Sequence, residues 1–140
     1  MGRSLIAAKN EGIWMNGRQR KVSEQTALKN ADVYISWGDT GHLRRLSSLR
    51  DLGARVIKMD ATVYVGMLVS IGNVDADIFT GNNLWDIAPQ TLAVTEAGGC
   101  ATTLSGNPTP ATEAVACLII SNRYIRDQIV DIVQASRGDD

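Results

Sequence analysis

Ala76-Asp77-Ile78-Phe79-Thr80-Gly81-Asn82-Asn83-Leu84-Trp85-Asp86-Ile87-Ala88-Pro89-Gln90-Thr91-Leu92-Ala93-Val94-Thr95-Glu96-Ala97-Gly98-Gly99 reads as a strand, a turn and a helix. Ala76 to Phe79 predicts a short strand and Gly81-Asn82-Asn83 a turn. Trp85 to Ala97 predicts a helix with Asp86 at its start, Pro89 in its first turn and Gly98-Gly99 at its end. The same alternation extends upstream. Ala54 to Met59 reads as a strand, and Ala61 to Ile71 as a helix, because length outweighs the period of two that Val63, Val65, Met67 and Val69 also fit. Before them, Ala31 to Trp37 is a strand ending at Gly38. Leu43, Leu46, Leu49 and Leu52, spaced by three among Arg44, Arg45 and Arg50, mark an amphipathic helix ending near Gly53. The chain opens on a hairpin, Ser4 to Ala8 and Ile13 to Met15, punctuated by Asn10-Glu11-Gly12 and followed by the turn dipeptide Asn16-Gly17. Downstream, Ala101 to Leu104 is a strand, Gly106 to Pro110 a loop, and Ala114 to Ile120 an apolar strand of the kind buried on both faces. Ile125, Ile129, Ile132 and Val133 then predict a last helix behind Ser121-Asn122, with a polar Arg-Gly-Asp-Asp tail that frays. The fold class is α/β: a mixed, mostly parallel sheet flanked by helices, with an N-terminal β-hairpin.

Composition narrows the function. The 140 residues suit one domain, and 44% hydrophobic with 21% charged residues is a globular composition. With 14 Lys+Arg against 15 Asp+Glu, there is no basic surplus to neutralise phosphates, so no nucleic-acid partner is expected. The longest uncharged run, Ala61 to Val74, falls short of the ~20 residues a membrane-spanning helix needs. The first residues lack the apolar stretch of a secretory signal, so the expected location is cytoplasmic with no membrane partner. Two separated cysteines and a single histidine, His42, exclude a disulfide framework and multi-histidine metal sites. Carboxylates must carry the chemistry.

Asp86 leads those carboxylates. An aspartate opening a helix behind a loop can cap it, or can present its carboxylate to a cleft with Trp85 fixing its position; the residues alone leave both readings open. Asp60, at a strand end, suits either a cleft or a solvated turn. Asp75 and Asp77, flanking Ala76, read as lying on an exposed strand edge. Arg44, Arg45 and Arg50 read as the wet face of the leucine helix, and His42 as a surface residue. Cys100 and Cys117 read as small buried hydrophobes, and Met15, Met59 and Met67 as core filling.

Leu84 to Gly99 closely resembles the signature near the C-terminal end of inositol monophosphatase-like enzymes, in which Trp-Asp, a small residue and a helix ending in Glu-Ala-Gly-Gly recur. Ile6 to Ser23, with Gly12 and Asn16-Gly17, is similar to the family's hairpin, and Ala116 to Asn122 to its last strand and turn. The resemblance implies that Asp86 ligates catalytic Mg2+ and lies close to substrate. Carboxylate without histidine suits that hard cation. The family's other ligands, a Glu and an Asp-Pro-x-Asp-Gly-Thr loop that cradles phosphate, have no counterpart between Met1 and Asp140. Residues 1–140 therefore correspond to the C-terminal domain, with the N-terminal metal-binding domain as the missing partner. Counted back from Trp-Asp, Asp60-Ala61-Thr62 falls on the family's substrate-side Gly-x-Ala turn, with Asp60 replacing a glycine. Phe79 falls on a glutamate that contacts substrate hydroxyls, and a phenyl ring accepts no such hydrogen bonds, which argues against a standard inositol pocket. The implied function is a share in a magnesium-dependent phosphomonoesterase acting on a small phosphorylated polyol, sugar or nucleotide. The alternative is a non-catalytic binding or assembly module. An apolar face left open by a missing half implies a homo-oligomer.

Overall fold

The computed structural model describes residues 2–36, 43–81 and 83–135, with the side chains of 43–46 outside that description. His42, Trp37, Gly38, the polar tail, and the side chains of Leu43, Arg44, Arg45 and Leu46 therefore lie outside the described residues. The first strands, β1 (Leu5–Ala8), β2 (Gly12–Met15) and β3 (Arg18–Arg20), form an antiparallel sheet in that order. Asn16 and Gly17 have φ of 50° and 77°, the two left-handed residues of a type I′ turn. The expected hairpin thus gains a third strand. Arg18-Gln19-Arg20 lacks β-formers, and pairing with Met15, Trp14 and Ile13 holds it extended where propensity does not.

The remaining elements are β4 (Asp32–Ser36), α1 (Leu43–Asp51), β5 (Arg55–Lys58), α2 (Thr62–Ser70), β6 (Ala76–Thr80), α3 (Leu84–Glu96), β7 (Cys100–Thr102), β8 (Cys117–Ser121) and α4 (Arg126–Ala135). They build a mixed sheet in the order β5-β4-β6-β8-β7, parallel across β5, β4 and β6 and antiparallel at both edges of β8. Every residue of β8 is buried. Ala114 and Ala116, expected in that strand, are exposed and precede it.

Four layers stack. Leu49 of α1 and Ile129, Val130 and Val133 of α4 cover one sheet face, against Val33, Ile35, Ala76, Ile78 and Ile119. Val69 of α2 and Ile87 and Val94 of α3 cover the other, against Phe79, Leu118 and Ile120. The outer side of that helix pair takes the three-stranded sheet, where Ile13 meets Ala93 and Ala97 with Leu5, Ala7 and Met67 around them. Asn122 ties the strap between the sheets: its Nδ2 donates to Ser23 Oγ at 3.0 Å and to the Gln25 carbonyl at 2.9 Å. Ser23 Oγ in turn donates to Asp75 at 2.5 Å. From β4 the chain passes through α1 on one face to β5, and from β6 it passes through α3 on the other face to β7. The connections therefore diverge between the carboxyl ends of β4 and β6, the place where open α/β sheets hold ligands.

Candidate active site

Both α2 and α3 follow strands that run parallel, and they pack on each other with their N-termini at the same end of the sheet. That end carries Asp60, Ala61 and Thr62 at the start of α2 and Asp86 at the start of α3. Asp60 is exposed, and Ala61 and Thr62 are half-buried. Ala61 is the N-cap of α2 and supplies no side-chain cap.

Asp86 is not the N-cap. The helix begins two residues earlier, at Leu84, and Asn83 takes the capping position with φ of −82° and ψ of 120°. The Asn83 carbonyl accepts the N–H groups of Asp86 and Ile87 at 3.0 and 3.1 Å. Asp86 therefore sits in the first turn, half-buried, where the positive end of the helix favours its charge. Among the described residues, Asn83 Nδ2 donates to its carboxylate, 3.5 Å from Oδ2 and at the limit of a hydrogen bond. Its oxygens remain open to a cation among the described residues.

The brace beneath Asp86 also differs from expectation. Trp85 is 74% exposed and holds nothing in place, because the turn of α3 aims it away from the sheet. Pro89 is the sixth residue of α3, past the first turn. The fully buried Gln90 does the bracing: its Nε2 donates to the Asp86 carbonyl at 2.8 Å. Gly66 of α2 makes room for it, since a Cβ there would come within 2.5 Å of Gln90 Cγ.

Phe79 does not join this group. It is 2% exposed and packs in the layer between sheet and α3, its ring against Gly81. Alternation in β6 turns it toward that layer. The expected exposed edge at Asp75 and Asp77 is likewise corrected, because β6 is the central strand. Asp75 is half-buried and accepts from Ser23 Oγ and from the Asp32 N–H at 2.7 Å. Asp77 is fully buried; Ser36 Oγ donates to its Oδ2 at 2.5 Å while Oδ1 has no partner. Burial pushes its carboxyl up to about 7, against the opposing pull of the Ser36 hydrogen bond. An acid inside an otherwise apolar strand, two residues before Phe79, was the available signal. Arg50 is exposed and donates to the Val56 carbonyl. Cys117 is buried, and Cys100, Met15, Met59 and Met67 are half-buried. Among the described residues, no group of three or more acids, histidines or cysteines could hold a metal ion. Asp86 fits magnesium as a single hard-oxygen ligand, not as a complete site.

The sequence model of the inositol monophosphatase family matches residues 1–137. The chain belongs to the inositol monophosphatase family. It is 30% identical to the fructose-1,6-bisphosphatase/inositol-1-monophosphatase of Thermotoga maritima, over 95% of this chain and 51% of that relative. A solved Thermotoga maritima IMPase superposes with a TM-score of 0.88 at 26% identity, covering 98% of this chain and 53% of that one. An IMPase/NADP phosphatase solved with NADP and Ca2+ superposes with a TM-score of 0.78 at 25% identity, covering 93% of this chain and 50% of that one. This family member thus spans about half the length of the relatives it matches.

Proposed function

We propose that this chain is the C-terminal half of a magnesium-dependent phosphomonoesterase acting on a small phosphorylated polyol, sugar or nucleotide. The observation that carries the reading is the Asp86 carboxylate at the start of α3: Gln90 holds the main-chain carbonyl of that residue, and among the described residues its carboxylate meets only Asn83 Nδ2, at 3.5 Å. Asp86 stands at the end of the sheet where α2 and α3 both begin, and a similar IMPase/NADP phosphatase was solved with NADP and Ca2+, a phosphorylated nucleotide and a divalent cation. Magnesium, when bound, supplies positive charge to phosphoryl oxygens and orientation to the attacking water. Asp86 is the residue of this half that would hold it. Asp60, Ala61 and Thr62 form one side of the substrate wall, where the aspartate at position 60 disfavours a second anionic group close by. The buried phenyl ring at Phe79 leaves the inositol hydroxyls without an acceptor at that position. The remaining ligands come from the missing half, so residues 1–140 alone turn over no phosphomonoester.

Asp86→Asn and Asp86→Ala in the full-length protein test the assignment. Asn keeps the shape of the helix turn and forfeits a charge–dipole contribution of ~0.3–1 kcal/mol. The Asn variant should keep its melting temperature to within a few degrees, lose most of its kcat/KM and require far more Mg2+ for what remains. Kinetics and magnesium dependence unchanged in the Asn variant would overturn ligation.

A further inference from the structure

Among the described residues, Asp77 is the one carboxylate or basic side chain buried outright. It occupies the second position of the central strand β6, in register with Tyr34 on β4 and Ile120 on β8. Its side chain shares the face of Phe79, under the layer formed by α2 and α3. Ser36 Oγ at 2.5 Å satisfies one oxygen, and the other has none. An ionised carboxylate offers about four acceptor sites and needs donors or a cation for them. No cation faces it. From β4 come Tyr34 and Ser36; from β8 only Leu118 and Ile120; from α2 only Tyr64, which is 57% exposed. The acids of α3 are Asp86, in its first turn, and Glu96, which is engaged with Asn10 and Gly12. The neighbouring Asp75 is bound to Ser23 and Asp32.

We propose that the folded chain carries Asp77 as a neutral carboxylic acid, and that losing this proton loosens the seam between β4 and β6, making the fold proton-responsive. Neutral, the group needs a single acceptor for its O–H and sits in an apolar layer at far smaller cost than an unpaired charge. The seam it guards includes Ser36, the last residue of β4, and so borders the crevice that carries Asp86. The sign of the response follows from linkage. A carboxyl in the unfolded chain releases its proton near pH 4, whereas Asp77 in the folded chain keeps it to about 7. Folding therefore takes up a proton between those values, so stability falls as pH rises through that window and levels off above it.

Urea denaturation of the 140-residue chain at pH 5 to 9 tests this, for the wild type and for Asp77→Asn, each in a His42→Gln background that removes the one imidazole. The wild-type folding equilibrium constant should fall by up to about tenfold per pH unit between pH 5 and 7 and flatten above pH 8, while Asp77→Asn should show no such decline. Parallel curves for the two proteins overturn the proposal. Should the Asn variant not fold, carbon-13 carboxyl NMR of the wild type decides: one aspartate resonance with a midpoint above pH 6 supports the proposal, and all aspartates titrating below pH 5 overturn it. Ser36→Ala should raise that midpoint, since it removes the donor to the ionised form.

Discussion

Gln90 and Gly66 are a matched pair, and the match is what fixes Asp86. A helix-interior Gly→Ala change ordinarily gains about 1 kcal/mol from propensity. At Gly66 the new methyl would stand 2.5 Å from Gln90 Cγ and 2.6 Å from Oε1. Overpacking of that kind costs about 1–3 kcal/mol, so Gly66→Ala should destabilise the chain, as a lower urea midpoint will show. Gln90→Ala in the same molecule should recover most of the loss, and a double-mutant cycle that gives no coupling would mean the two side chains do not share the space. None of this was legible in the sequence. A glutamine six residues into an amphipathic pattern reads as a polar-face residue, and only the packing of α2 on α3 reveals a fully buried one bonded to the Asp86 carbonyl.

At the scale of elements, the strands and helices were legible because hydrophobic periodicity and turn residues agree along most of the chain. Where they were not, a particular contact decides. β3 is a strand only because β2 pairs with it. The start of α3 lies upstream of the acid that resembles a cap, because Asn83 closes the turn through its carbonyl. The C-terminal end of α3 holds a tertiary link of the same kind. The Glu96 carboxylate accepts the Asn10 and Gly12 N–H groups at 2.8 and 2.9 Å and docks the β1–β2 turn onto the helix. Those two bonds hold its pKa below the usual carboxylate value. The stabilisation is present above the ordinary carboxyl range and is lost as pH falls through the lowered value, opposite in sense to Asp77. Glu96→Gln should speed amide hydrogen exchange at Asn10 and Gly12 at pH 7 and make the acid limb of stability shallower. Unchanged exchange at both amides would show that the turn docks without it.

Across the whole molecule, apolar surface gathers in two places. Ile6, 64% exposed, pairs with Trp14, 42% exposed, on the outer side of the three-stranded sheet. Leu84, Trp85 and Tyr64 are exposed at the end that carries Asp86. Isolated residues 1–140 should therefore self-associate, giving a weight-average mass in light scattering that rises with concentration, and Ile6→Lys with Trp14→Lys should reduce it; a strictly monomeric wild type at high concentration contradicts this. The family resemblance singled out Asp86 and the α2 start through motif spacing, and the fold puts both at one end of the sheet. The burial of Phe79 and Asp77 did not show, because it depends on which strands flank β6. That order has a further consequence for synthesis. β8 is the last strand to be made, yet it lies between β6 and β7, both completed earlier. A nascent chain emerging from the ribosome has one edge of β6 open and β7 without a strand partner until Cys117–Ser121 appears, so the sheet closes late, and a chain stalled before that point presents those edges to chaperones and to its neighbours.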